Sequence, residues 1–226
     1  MSKVIVFDVN ETLLDMSALD PHFERLFGSA GGRQAWFQQL KELWLVGLVT
    51  DQFTPFSELA GAALRMIAEM ERISLTAEQG AAVVSALKEL PPHAETEEAL
   101  RLLREGGFAL ATLTNGGLSA ARAQIEYAGL ESYFDHAMSA EEVERHKPAR
   151  EPYLMAAEQL GVAPGDIRMV AAHTWDIAGA AAAGCATAFV ARPGKVMNAA
   201  GPAPGLQSNN LRDLAHQILG TDSPGR

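Results

Sequence analysis

From Glu95 onward the sequence alternates between short apolar runs and helical segments, and this alternation limits the available folds. It predicts strands over 108–113, 134–138, 167–171 and 186–190, with helices over 97–105, 119–128, 151–160 and 177–183 between them. An earlier run, 3–8, is apolar and β-branched, as is typical of a strand buried on both faces. Because a helix between two strands returns the chain to the same end of a sheet, such strands pair in parallel. The sequence therefore predicts an α/β fold with a doubly wound parallel sheet.

The segment between 20 and 90 has a different pattern. Leu, Phe, Trp and Met recur there at helical spacing, and nothing alternates with period two. Thr76 is predicted to cap the last helix of this insert, and Pro91 ends the helical pattern. The predicted division is a core of residues 1–14 and 91–226 with a helical cap of residues 15–90. The tail from Asp222 to Arg226 is expected to fray.

Composition excludes several classes of protein. The 18 Lys and Arg residues against 28 Asp and Glu give a net charge of −10, and no basic cluster appears, which argues against nucleic-acid binding. No apolar run reaches the roughly 18 residues that span a membrane, and no signal peptide is recognised, so a cytoplasmic protein is expected. The single cysteine, Cys185, lies in an apolar setting and is expected to be buried and unreactive. No Cys/His spacing typical of a metal site is present, and we predict no metal and no cofactor.

Polar residues follow the predicted strands at the points where a doubly wound sheet binds its ligands. They are Asp8, Asn10 and Thr12 after the first strand, Thr114 and Asn115 after the second, Lys147 after the third, and His173, Trp175 and Asp176 after the fourth. This set has the groups needed to hold a small anion and to attack it with a carboxylate. Lys147 can keep Asp8 ionised, and Thr12 and Thr114 can donate to the anion.

Four short motifs resemble those of the haloacid dehalogenase superfamily. The run from Phe7 to Asp15 is similar to the first motif, whose aspartate is the nucleophile, here Asp8. The second, third and fourth motifs are matched by 112–116, by 147–148 and by 175–176. The helical insert also lies where this superfamily places its cap. The resemblance covers essentially the whole chain and implies a Rossmann-like core with an inserted cap.

Two branches of this superfamily differ at positions that the sequence displays. The phosphatase branch has an aspartate as general acid two residues after the nucleophile and an acid that binds Mg²⁺ near the fourth motif, but this chain has Asn10 and Ala172 there. The L-2-haloacid dehalogenases (type II) are similar in detail, with Tyr153 six residues after Lys147 and with the Trp175 and Asp176 pair. That branch needs no metal. Its aspartate displaces a halide, and water then hydrolyses the aspartyl ester.

The chain departs from this branch at three places. Asn10 stands where the branch has an aromatic residue, and Phe37 stands where it has a cap arginine that cradles the halide. Ala171, Ala172 and His173 stand where it has Ser-Ser-Asn. The halide pocket is therefore rebuilt, and His173 is a candidate halide donor or water-orienting group. A smaller leaving group, or a different electrophile with loss of dehalogenation, are open alternatives.

The resemblance implies metal-independent hydrolysis of small 2-haloalkanoic acids through an aspartyl ester. The predicted catalytic residues are Asp8, Lys147 and Asp176. The predicted substrate-binding residues are Asn10, Thr12, Phe37, Thr114, Asn115, Tyr153, His173 and Trp175. The alternatives are an Mg²⁺-dependent phosphatase of a small metabolite and a non-catalytic descendant that binds a small acid or a partner protein. The expected partner is a small carboxylate substrate, with neither nucleic acid nor membrane, and the resemblance suggests a homodimer.

Overall fold

The computed structural model of the chain describes residues 4–29 and 31–222. The strands in this part are β1 (Val4–Phe7), β2 (Ala109–Thr114), β3 (His136–Ser139), β4 (Ile167–Ala171), β5 (Ala186–Val190) and β6 (Leu206–Ser208). The α-helices are α1 (Asp20–Phe27), α2 (Gly31–Val49), α3 (Phe56–Met70), α4 (Ala77–Ala86), α5 (Thr96–Glu105), α6 (Leu118–Tyr127), α7 (Arg150–Gln159), α8 (Thr174–Ala183) and α9 (Leu211–Asp222). None of the described helices is both long enough and apolar enough to cross a membrane.

The strands form one parallel sheet in the order β3-β2-β1-β4-β5-β6. Strand β1 lies between β2 and β4, and its last residue, Phe7, is level with Thr112 on one side and Val170 on the other. The strand order reverses at β1, which opens a crevice beyond the carboxyl ends of β1 and β4. The α/β fold with a doubly wound parallel sheet is confirmed.

The side chains of β1 explain why this strand is apolar along its whole length. Ile5 and Phe7 pack into one core, which also receives side chains of α5 and α9, while Val4 and Val6 pack into a second core on the other face with side chains of α7 and α8. Both faces of the sheet are therefore covered. A strand in this position cannot show the apolar–polar alternation of a half-exposed strand.

Helices α1 to α4 follow β1 in the chain and precede α5 and β2. On α2, Trp36, Leu40 and Trp44 are buried at a spacing of four residues and so lie on one face. The indole of Trp36 donates to the carbonyl of Ala60 on α3 at 2.9 Å. Thr76 caps α4 as predicted, because its hydroxyl accepts from the Gln79 amide while the Gln79 side chain accepts from the Thr76 amide. The division of the chain into a core and a cap stays a prediction.

Strand β6 and helix α9 were not predicted from the sequence. The expectation that the chain frays from Asp222 is wrong for that residue, which is buried at the end of α9. The Arg168 guanidinium on β4 donates to both Asp222 carboxylate oxygens, and this buried ion pair fixes the end of α9 against the sheet. Residues 223–226, the rest of the expected tail, lie outside the described residues.

Candidate active site

Asp8 follows β1 directly and is held by three side chains at the carboxyl end of the sheet. Its Oδ1 accepts from the Lys147 ammonium at 2.9 Å. Its Oδ2 accepts from the Thr12 hydroxyl at 2.8 Å and lies 3.2 Å from Nδ1 of His173. Burial alone would raise the pKa of Asp8, but the Lys147 charge and His173 outweigh burial and hold the pKa well below its usual value. Asp8 is therefore an ionised carboxylate in a site that is almost closed to water.

Lys147 bridges the carboxylates of Asp8 and Asp176 at the carboxyl end of the sheet, and it has no exposed surface. Its Nζ donates to Asp8, to Oδ2 of Asp176 at 2.6 Å, and to the carbonyl of Leu113 at 2.8 Å. These three bonds use every proton of the ammonium group. Burial would lower the pKa of Lys147, but the two carboxylates outweigh burial and raise it.

Asp176 is fully buried at the start of α8, and both of its oxygens are occupied. Oδ2 accepts from Lys147, and Oδ1 accepts from the Tyr153 hydroxyl at 2.6 Å. Burial raises the pKa of Asp176, with the Lys147 charge acting against it. Burial and the Asp176 charge raise the pKa of Tyr153 well above its usual value, so the phenol remains a hydrogen-bond donor.

Asn115 holds the loop that carries Lys147. Its Oδ1 accepts from the backbone amide of Lys147 at 2.6 Å, and its Nδ2 donates to the backbone carbonyl of the same residue at 3.1 Å. The neighbouring Thr114 hydroxyl accepts from the amide of Gly116 at 3.2 Å. The structure therefore brings both residues to the predicted edge. The side-chain amide of Asn115 is used within the protein, and the substrate-binding role of both residues stays a prediction.

The His173 ring stacks on two aromatic side chains. Between ring centroids, Phe37 on α2 lies 5.6 Å from it and Trp175 lies 4.9 Å from it. Trp175 also meets the edge of Trp44 at 5.4 Å. The three predicted residues Phe37, His173 and Trp175 are thus in contact, and the stacking holds the imidazole plane beside Asp8.

Asn10 lies close to Asp8 in the sequence, but its amide is bonded to α6. Its Oδ1 accepts from Nε2 of Gln124 at 2.8 Å, and the same nitrogen donates to the carbonyl of Leu87 at 2.7 Å. Asn10 therefore links the loop after β1 to α6 and to the segment after α4. Its predicted contact with substrate stays a prediction.

Glu11 belongs to the site but was not predicted as a site residue from the sequence. Its Oε2 lies 2.7 Å from Nε2 of His173 and accepts from the Lys195 ammonium at 2.5 Å, while Arg33 approaches Oε1 at 3.7 Å. Burial would raise the pKa of Glu11, but His173 and Lys195 outweigh burial and lower it to about 2. Lys195 follows β5, so its place beyond a strand end was the signal that could have found this pair.

A cavity of about 450 Å³ opens beside Glu11 and is lined by several cationic groups. Arg33, Arg192 and Lys195 contribute to its wall. Arg192 also donates from Nε and Nη2 to the Thr12 carbonyl, at 3.1 and 2.8 Å. Glu11 and Asp15 also line this cavity, so three cations and two carboxylates leave one net positive charge in its wall, in a chain with a net charge of −10.

A sequence model of the haloacid dehalogenase-like hydrolases matches residues 2–184. The chain belongs to this family. An (S)-2-haloacid dehalogenase of Pseudomonas sp. (strain YL) is 30% identical over 213 residues, which are 93% of this chain and 91% of the relative. Haloacetate dehalogenase H-2 of Moraxella sp. (strain B) is 26% identical over 96% of this chain and 97% of its own length.

The fold of this haloacid dehalogenase-like hydrolase also matches a solved structure along nearly its whole length. The L-2-haloacid dehalogenase from Xanthobacter autotrophicus with chloropropionic acid covalently bound superposes with a TM-score of 0.91, covering 98% of this chain and 100% of the other. At 24% identity this match carries the fold alone. Together with the sequence relatives, the motifs place the chain on the L-2-haloacid dehalogenase (type II) branch, whose members are hydrolases acting on carbon–halogen bonds.

The site of this haloacid dehalogenase-like hydrolase has two parts. We call Asp8, Lys147, Asp176 and Tyr153 the ion-paired floor, and Glu11, Phe37, His173, Trp175 and Lys195 the histidine wall. The two parts meet where His173 contacts Asp8. Within residues 4–29 and 31–222, no group of three or more His, Cys, Asp or Glu residues is arranged to hold a metal ion. Burial raises the pKa of Cys185 to about 11, so this thiol is not a nucleophile at neutral pH.

Proposed function

We propose that this chain hydrolyses small 2-haloalkanoic acids, without a metal ion, through an ester on Asp8. The observation that carries this proposal is the state of Asp8, a buried carboxylate whose pKa the Lys147 ammonium and His173 hold low. An ionised carboxylate in a closed site is a nucleophile that needs no base. A departing halide needs no acid, which fits a site with an amide, Asn10, two residues after the nucleophile.

In the first step, one carboxylate oxygen of Asp8 attacks the carbon that bears the halogen. A carbon–oxygen bond forms, the carbon–halogen bond breaks, and the halide leaves with the electron pair. No proton moves in this step. Thr12 and Lys147 hold the carboxylate in one orientation, which reduces the entropic cost of the attack.

In the second step, water adds to the carbonyl carbon of the Asp8 ester. The Lys147 ammonium lies on the oxygen that becomes negative and stabilises this charge. Collapse of the adduct breaks the bond between the Asp8 carbonyl carbon and the substrate oxygen, which releases a 2-hydroxy acid and one proton and returns Asp8 to a carboxylate. Asp176 acts through Lys147, because its own oxygens are already held by Lys147 and Tyr153.

The helical segment 15–90 is proposed to act as the cap over this site. Its helix α2 supplies Phe37 and Trp44, which contact His173 and Trp175 of the core. The proposed substrate is a small carboxylate that enters through the cationic cavity beside Glu11. A cytoplasmic location and a homodimer remain predictions.

A phosphatase function is less well supported by the contacts at the site. Asn10 offers an amide already bonded to Gln124, so no carboxylic acid is present there to protonate a leaving oxygen. Magnesium prefers carboxylate oxygens and water in octahedral geometry. Asp176 has no unoccupied oxygen and no exposed surface, so these residues fit Mg²⁺ poorly.

The test is a single turnover in water enriched in heavy oxygen, followed by mass analysis of the Asp8 peptide. We expect halide release from chloroacetate, bromoacetate and 2-chloropropionate in the presence of a metal chelator, and heavy oxygen in the Asp8 carboxylate. The Asp8→Asn variant serves as control and should release no halide. Halide release with an unlabelled Asp8 would refute the ester, and metal-dependent hydrolysis of a phosphate ester would overturn the proposal as a whole.

A further inference from the structure

The charge balance of the site depends on His173. The carboxylates are those of Asp8, Glu11 and Asp176, and the lysine ammonium groups are those of Lys147 and Lys195. Arg33, which also approaches Glu11, is paired with Asp20 and adds no net charge, so three negative charges meet two positive ones. The cluster is neutral only if His173 carries a proton on each ring nitrogen, and otherwise it is negative before the anionic substrate arrives.

The contacts of the ring require this doubly protonated form. Nδ1 lies 3.2 Å from Oδ2 of Asp8, and Nε2 lies 2.7 Å from Oε2 of Glu11. An ionised carboxylate can only accept a hydrogen bond, so each ring nitrogen has to donate. A histidine that donates from both nitrogens is an imidazolium. Consistent with this, the two carboxylates outweigh burial and raise the pKa of His173.

Glu11 occupies a backbone position that does not suit it. Its φ is 62°, in the left-handed region that glycine adopts without steric cost and that other residues avoid. Its side chain nevertheless has three charged partners, His173, Lys195 and Arg33, and 11% of its surface is exposed. A glycine would suit the turn better but would offer no carboxylate. What Glu11 adds at this position is a negative charge in contact with the His173 ring.

Extending the proposed function, on which this step rests, we propose that Glu11 is a positioning residue that holds His173 as a cation, and that this cation offsets the negative charge of the substrate beside Asp8. Lys147 cannot supply that charge to a substrate, because none of its side chain is exposed, whereas 6% of the His173 side chain is exposed. Lys195 is bonded to Glu11 itself. His173 is the remaining cation in contact with the nucleophile within the described part of the chain.

The other charged groups around His173 either favour or oppose the proton on its ring. Lys147 and Lys195 repel a proton on the ring, while Asp8 and Asp176 attract it. Arg33 reaches Glu11 but is bonded to Asp20, and the ring faces that cover His173, those of Phe37 and Trp175, carry no charge. Removing the Glu11 charge takes away the shorter of the two carboxylate contacts, and the neutral ring is then favoured.

Two variants with opposite effects on the backbone test this role. Glu11→Gln removes the charge and keeps the strained turn, whereas Glu11→Gly removes the charge and relieves the strain. As pH rises, we expect kcat/KM for a 2-haloacid to begin falling at a lower pH in both variants than in the wild type. Relative to the wild type, the loss of kcat/KM should be about tenfold larger at pH 8.5 than at pH 6. Glu24→Gln, an acid-to-amide change on the exposed face of α1, should follow the wild-type profile.

A purely structural role would give a different pattern. Glu11→Gly would then retain activity at every pH, and Glu11→Gln would lose the same factor at every pH. Either result overturns the proposal, because neither involves the charge of His173.

Nitrogen NMR of isotope-labelled histidine tests the charge on His173 without any turnover. The His173 signals are assigned by their loss in His173→Gln, and we expect both ring nitrogens to be protonated at pH 7.5 in the wild type and one to lose its proton in Glu11→Gln. A neutral His173 in the wild type refutes the inference, whatever the activity. If His173 is charged but no 2-haloacid releases halide, the proposed function fails while the role of Glu11 in holding the charge stands.

Discussion

The ion-paired floor and the histidine wall meet at Asp8 but are built in different ways. In the floor, Lys147 and Asp176 have no exposed surface, and every hydrogen-bonding atom of their charged groups has a partner. In the wall, Glu11 and Lys195 border an open cavity, and one side chain, His173, decides the net charge. A buried, fully paired cluster keeps its charges across the physiological range, whereas a histidine in contact with two carboxylates can lose its proton as pH rises. The floor therefore keeps the same charges as pH changes, whereas the net charge of the wall, next to the proposed site of the substrate anion, depends on the protonation of His173.

Removing the central charge of the floor should have the largest effect. Lys147→Met leaves Asp8 and Asp176 buried without their shared cation, and we expect the free energy of unfolding to fall by about 3–5 kcal/mol. Halide release should fall by roughly a thousandfold, because the charge that stabilises the adduct is gone. Urea unfolding and a halide assay measure the two effects. Lys88→Met, at an exposed lysine, is the matched control and should change neither, and a stable, active Lys147→Met would contradict the description of the floor.

The floor and the wall also differ in how far the sequence could predict them, because all four floor residues were predicted, whereas Glu11 and Lys195 of the wall were not. Asp8, Lys147 and Asp176 directly follow buried strands or stand in recognisable motifs, so their convergence followed from the parallel sheet. Glu11 and Lys195 are 184 positions apart and meet because of a left-handed turn after β1 and a loop after β5. Neither the turn nor the loop has a periodic pattern, so the one signal in the sequence is that Lys195 lies beyond the end of a strand.

The same reasoning applies to the fold. The strands β1 to β5 were predicted from apolar runs, which are mostly buried in β1, β2, β4 and β5, whereas only the last two residues of β3 are buried. Strand β6 has three residues, none of them fully buried, and therefore lacks the apolar signal. The ion pair of Arg168 with Asp222 joins the second residue of β4 to the end of α9. Such a contact depends on the final packing and has no local signature.

Tyr153→Phe tests how much of the floor depends on a neutral donor. The change removes the hydroxyl that donates to Oδ1 of Asp176 and leaves a buried carboxylate oxygen without that partner. We expect the free energy of unfolding to fall by about 1–3 kcal/mol, as is usual for a buried polar atom left unsatisfied. The pKa of Asp176 should rise further, and kcat should fall by several-fold while KM changes little. Chemical denaturation and steady-state kinetics provide the comparison, and an unchanged stability would show that this hydrogen bond contributes little.

Phe37→Leu addresses the aromatic part of the wall. The leucine keeps an apolar side chain at a nearly buried position but cannot stack on His173 or lie under the Lys195 ammonium. We expect a loss of about 1–2 kcal/mol in the free energy of unfolding and a weaker orientation of the imidazole, seen as a higher KM. Phe23→Leu is the matched control, because Phe23 is a buried aromatic that packs on Phe27 and Trp36, away from His173. Equal kinetic effects in the two variants would contradict a specific role of Phe37 in orienting His173.

The smallest expected effect is the contribution of His173 to stability as a function of pH. The pKa of His173 is raised in the folded protein, so its proton stabilises the fold below the unfolded pKa, about 6.5, and this stabilisation is lost as pH rises through the folded pKa. The stability difference between wild type and His173→Gln should therefore favour the wild type at pH 6 and shrink by pH 8.5. His93 and His146, whose pKa values burial lowers, titrate in both proteins and cancel in this difference. Asp8 has the opposite sign, since its stabilisation is present above pH 3.8 and is lost in acid, outside this window. Urea unfolding of both proteins at the two pH values gives the difference, and a constant value would mean that His173 does not change its charge in this range.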